Sequence, residues 1–143
     1  GRIVRVLPPV LGDDLKRTTF RSGDRTLDNM LEECRTKFSD RNPLVRREAL
    51  ERLWDAWERL KSLADPRDKK QSIKIILDAV AAEPTLRSRL ETEAVELTAI
   101  GNSHLIRHSE VNQVAVIDVD HVDYLFHRLF AMIQLMLRRK GNA

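Results

Sequence analysis

The sequence predicts an all-α fold: an up-and-down bundle of four long helices, with up to one short extra element and an irregular N-terminal arm. Three observations lead there. Beyond the first 25 or so residues, apolar side chains recur at three- and four-residue steps, the period of one helix face. Glycine and proline number five each among 143 residues, too few for a linker-rich or disordered chain. Pro43, Pro66 and Pro84 fall where the periodic stretches begin or break off. At this length one domain with a single core of ordinary stability is expected. Residues 1–25 read as an irregular arm or the remnant of an upstream domain, and residues 26–140 as the bundle domain. No repeat or low-complexity tract is visible.

In the arm, "IVRVLPPVLG" alternates apolar and polar residues briefly and stops at Pro8-Pro9, as an edge strand or a segment lying on a partner would. The first helix is predicted over residues 26–38, with Asp24 as its N-cap. Leu27, Met30, Leu31, Cys34 and Phe38 lie at helical spacing, so Cys34 is expected to be a packing residue and not a nucleophile.

The second helix opens at "NPLVRREALERLWDAWERLKSLA", with Asn42 as cap and Pro43 in the first turn, where proline is tolerated. Val45, Ala49, Leu53, Ala56, Trp57, Leu60 and Leu63 form its apolar stripe. Trp54 and Trp57 share a face and are expected in the core. Glu48 with Arg52, and Asp55 with Arg59, are expected to pair along the exposed side. Pro66 breaks this helix. A third is predicted over residues 68–82, with Ile73, Ile76, Leu77 and Val80 inward.

A fourth helix begins at Pro84 or Thr85. Its buried seam is predicted to be Leu86, Leu90, Ala94, Leu97, Gly101 and Leu105. A mid-helix glycine costs up to about 1 kcal/mol relative to alanine, so Gly101 points to close approach by another backbone, or to a kink. "VNQVAVIDVD" then reads as a loop or short extended segment. The last helix, "DHVDYLFHRLFAMIQLMLRRK", is capped by Asp118 or Asp120. Its apolar residues spread round most of the circumference. Such a helix is central in its bundle or packs on a second copy, and a homodimer through this helix is expected.

Composition narrows the function classes. Hydrophobic residues make up 42% and charged residues 33%, and the net charge is +3 from 25 Lys+Arg against 22 Asp+Glu. That excess permits phosphate binding without demanding it. Basic stretches lie at the two ends, "RTTFRSGDR" and "RRK". No apolar run reaches the ~18 residues of a membrane span, so no membrane association is expected. The single cysteine excludes an intrachain disulfide and favours a reducing compartment, here the cytoplasm. The chain opens at "GRIVRV" without a methionine, as an excised piece of a larger protein would.

The densest polar chemistry is "IGNSHLIRHSEV", residues 100–111. If the fourth helix continues to about Ser109, then His104 and His108 stand one turn apart, as do Ser103 and Arg107. Three readings follow. His104 and His108 have the spacing of two helical metal ligands, but Leu105 stands where "HExxH" carries glutamate. A third ligand would have to be His121, His127, Asp120 or Asp123. Alternatively the cluster serves acid–base chemistry on a phosphodiester. Histidine titrates near neutrality, and arginine presents a fork matched to phosphate. A histidine, an arginine and an orienting asparagine or glutamate suffice to cleave RNA through its own 2′-hydroxyl. The third reading is structural, with Arg107 paired to Asp118, Asp120 or Asp123 of the last helix or its approach.

A four-helix bundle with Arg, His and Asn at the end of its penultimate long helix resembles the HEPN superfamily. More narrowly, "ALERLWDAWERLKSL", "ELTAIGNSHLIRHSE" and "DYLFHRLFAMIQLMLR" look like the domains of bacterial abortive-infection (AbiJ-like) proteins. The resemblance spans residues 26–138. It implies a metal-independent endoribonuclease of a phage-defence or toxin-type system, acting as a dimer whose two motifs line one cleft, with RNA as substrate and no cofactor or metal. It equally admits a non-catalytic dimerisation or sensing domain, fused to or partnered with an effector. The family motif is an arginine followed four to six residues later by a histidine. Here Asn102 stands six residues before His108, and Arg107 adjoins it. On the resemblance, His108 is the general acid/base, Arg107 contacts phosphate, and Asn102 and Glu110 orient them. His104 and Ser103 are weaker candidates, flanking the substrate.

Overall fold

The computed structural model describes residues 19–104 and 114–141. Among the described residues the chain forms five α-helices and no strand: α1 (Arg25–Phe38), α2 (Pro43–Leu60), α3 (Lys69–Val80), α4 (Pro84–Ser103) and α5 (Val119–Gly141). The expected all-α class is therefore observed. α1 packs along α2, α2 lies on α5, and α3 touches both α4 and α5.

Short side chains start most of these helices by the mechanism their sequence implies. Asp24 Oδ2 accepts from the Leu27 amide at 2.9 Å, and Asn42 Oδ1 from the Leu44 amide at 3.0 Å. Asp68 caps α3 through the Gln71 amide at 3.1 Å. Each bond satisfies an amide that has no partner inside its own helix. The turn before α1 runs through Gly23 at φ +89°, a left-handed conformation that favours glycine. There the Ser22 amide and hydroxyl both reach Asp28 Oδ1, at 2.9 and 2.7 Å. Phe20 is buried edge-on to Phe130, with centroids 6.2 Å apart, and the Arg35 guanidinium lies over its ring. Phe20 thus joins the core just ahead of the first helix.

The core is built from Leu27, Leu31, Cys34 and Phe38 of α1, the α2 stripe, and Val122, Leu125, Phe126, Leu129, Phe130, Met132, Ile133 and Met136 of α5. Phe38 and Phe126 stack at 3.7 Å. Burying one such side chain stabilises by about 1.5–3 kcal/mol. α5 buries residues on several sides because α2 and α3 both pack on it, which accounts within one chain for its broad apolar circumference. Cys34 is buried, and desolvation pushes its thiol well above the ordinary range, so it is a packing group, as expected.

Two expectations are corrected. Glu48, Arg52 and Arg59, expected to pair along α2, reach across to the neighbouring helix or its cap, while within α2 Arg47 faces Glu51 four residues on at 3.9 Å. Glu48 pairs with Lys37 at 3.2 Å, Arg52 with Glu33 at 2.8 Å, and Arg59 with Asp24 at 2.5 Å. These partners lie on α1 or its cap, because the helices run side by side and an opposite charge there is as near as one a turn away. Leu86, placed in the α4 seam, is 52% exposed. It sits in the first turn of α4, beyond the reach of the core.

Candidate functional site

Two tryptophans of α2 set where α4 runs. Trp54 and Trp57 are both fully buried. The Trp54 indole N–H donates to the Leu97 carbonyl of α4 at 2.8 Å, and the Trp57 indole N–H to Thr98 Oγ1 at 3.1 Å. The Trp54 ring lies against Gly101, where a β-carbon would come within 2.2 Å of Nε1. The close approach inferred at Gly101 is therefore real, and it comes from a side chain instead of a backbone. Beside it Lys61, 2% exposed, reaches Thr98 Oγ1 at 2.6 Å and Glu58 at 2.5 Å. Burial raises the Glu58 carboxyl, but the hydrogen bonds and charges of Lys61 and Lys69 outweigh it and hold the group below its ordinary value.

α4 spans Pro84–Ser103, and His104 is its C-cap. Ser103 O accepts from the Val114 amide at 3.0 Å, and His104 Nδ1 lies 2.9 Å from the Val114 carbonyl. Helix-end carbonyls without an intrahelical partner are thereby satisfied by the returning chain. The one-turn relations supposed for His104 with His108 and for Ser103 with Arg107 rest on residues outside those described. Asn102 and Ser103 are exposed in the final turn of α4, and His104 is half-buried. Arg107, His108 and Glu110 lie outside the described residues, as does the seam candidate Leu105.

The returning segment is held at its other end by α2 and α5. Arg47 donates to the Val116 carbonyl at 3.2 Å. Asp118 is the cap of α5, accepting from the Asp120 amide at 2.8 Å and the His121 amide at 3.3 Å. Asp123 faces Arg46 at 3.8 Å. Two of the carboxylates considered as partners for Arg107 thus have other work in the fold.

Between the end of α4 and the start of α5 lies an open groove of about 530 Å³. Ile100, Leu125 and residues 114–117 give it apolar surface, and His104, Asp118, His121 and Tyr124 bring polar atoms to it. Of the histidines weighed as ligands, His104 and His121 share this groove, whereas His127 packs edge-on against Phe38, 5.2 Å between centroids. Among the described residues, no three of His, Cys, Asp and Glu converge to hold a metal ion. None of the described helices is long and apolar enough to cross a membrane. Tyr124 was not singled out by sequence reasoning, although it is the one tyrosine of the chain and opens the apolar run of α5 directly after Asp123.

No protein-family model matches this chain, and comparisons with curated proteins and with solved structures find no match.

Proposed function

We propose that the chain is a HEPN-like up-and-down bundle domain of a phage-defence or toxin-type protein, and that it cleaves RNA without a metal. The observation that carries this reading is the setting of "IGNSHLIRHSE". Its described start, Ile100 to His104, closes α4 at a hydrogen-bonded neck beside a groove large enough for a nucleotide, and Arg107, His108 and Glu110 follow within six residues in the sequence. In this reading His108 takes the proton from the RNA 2′-hydroxyl as it attacks phosphorus. The 5′-oxygen leaves, taking a proton from water, and a 2′,3′-cyclic phosphate remains. Arg107 stabilises the charge that builds on the phosphoryl oxygens, and Asn102 and Glu110 orient the pair. Two copies in the cytoplasm share the site through their last helices, where Ala131 and Leu135 are exposed.

The test is incubation of purified protein with RNA in EDTA. Cleavage by the wild type, lost in a folded His108→Ala variant, is the expected result. Cleavage unchanged in His108→Ala removes that residue from the mechanism.

One observation favours a second reading, a non-catalytic dimerisation or sensing domain serving an effector. Ser103 and His104, two of the candidate site residues, are engaged in closing the neck. Absence of cleavage in any buffer selects this reading.

A further inference from the structure

We propose that the groove between α4 and α5 is a nucleobase subsite, in which one base of a single-stranded RNA stacks on Tyr124. The inference rests on the ribonuclease reading and adds to it the residue that holds the substrate beside the cleavage segment. Tyr124 is 61% exposed, although its neighbours Leu125 and Phe126 on α5 are buried. An exposed aromatic ring offers a face on which another flat ring can stack. The groove beside it has about 530 Å³, within the range of small-ligand sites. Its surface is mostly apolar, with a few polar groups at hand, which is the chemistry a flat base with a polar edge needs. His104 and His121 supply ring nitrogens from opposite helices, and the Asp118 carboxylate, turned to the α5 amides, is partly spent on capping. The exposed side chains of Val114 and Ile117 continue the apolar surface along the returning segment.

Stacking suits this position because every base has a π-face, so the contact requires no particular sequence. The neck at Ser103–Val114 forms one side of the groove and is also the root of the segment that carries Arg107 and His108. A base seated there leaves its own phosphate within a nucleotide's length of that root.

The probe is a fluorescein-labelled single-stranded oligonucleotide with 2′-O-methyl sugars, which cannot be cleaved through the 2′-oxygen. Binding is read by anisotropy for wild type, Tyr124→Phe and Tyr124→Ala. Tyr124→Phe should bind within about twofold of wild type, and Tyr124→Ala about tenfold more weakly. Wild-type affinity in a folded Tyr124→Ala overturns the subsite while leaving the ribonuclease reading standing. No oligonucleotide binding by wild type overturns both. A dimer that sedimentation shows to dissociate on Tyr124→Ala makes the groove a subunit interface, and overturns the base assignment.

Discussion

The indole of Trp54 occupies the space in which a side chain at position 101 would begin. A β-carbon built on Gly101 would stand 2.1 Å from Trp54 Cδ1 and 2.2 Å from Nε1. Glycine there lets the α2 ring lie on the α4 backbone and donate to the Leu97 carbonyl one turn back.

Gly101→Ala therefore reverses the usual sign of a glycine-to-alanine change inside a helix. Helix propensity alone would stabilise by up to about 1 kcal/mol, but overpacking a closed core costs about 1–3 kcal/mol. The expected net effect is destabilisation of at least about 1 kcal/mol, measured by urea unfolding. In a Trp54→Phe background the cost of Gly101→Ala should shrink, because the clash is with the indole itself. Equal costs in both backgrounds would show that the two residues are not coupled.

Thr98 is the shared acceptor for two buried donors. Trp57 Nε1 and Lys61 Nζ both reach its Oγ1, whose own hydrogen goes to the Ala94 carbonyl at 3.0 Å. Thr98→Val keeps the shape and removes the acceptor. A loss of about 2 kcal/mol is expected, whereas Thr98→Ser should cost less, because it retains the oxygen.

Glu58 makes the stability pH-dependent in acid. Its folded-state carboxyl lies below the ordinary 4.5. The stabilisation is therefore present above that value and is lost as pH falls through the lowered one. Wild type should weaken on acidification below the ordinary carboxylate range, and Glu58→Gln should show a flatter acid limb. At neutral pH the variant leaves Lys61 buried without its carboxylate, at a cost of about 3 kcal/mol. Identical acid limbs in the two proteins would refute the assignment.

His104 closes the neck through its side chain. His104→Ala should speed amide exchange at Val114, whose N–H is bound to Ser103 O, while global stability changes by less than about 1 kcal/mol, as expected for a substitution outside the core. Unchanged exchange at Val114 would show that the backbone bond holds the neck alone.

Where structure follows from bonds a few residues apart, it could be read in the sequence. Asp24 and Asn42 cap the helices their positions suggest, and Ala49, Leu53, Ala56, Trp57 and Leu60 of the α2 stripe are buried, while Val45 and Leu63 at its two ends are only partly so. What depends on distant neighbours was not readable. Glu48 and Arg59 pair across to α1 and its cap, since pairing along one helix competes with any charge its neighbour brings near. Nor was the bond from Val114 to the Ser103 carbonyl, eleven residues back, readable. The polar crowding of residues 102–110 was visible, but the groove at the end of α4 was not. Tyr124 and His121 of α5 meet Ile100 and His104 of α4 there only in the folded chain.

The Ser103–Val114 bond holds the close of α4 against the start of the returning segment, so the two ends between which residues 105–113 run are fixed side by side. Loop-closure entropy grows only slowly with length, so a change in the number of residues between those ends alters the closing cost by little.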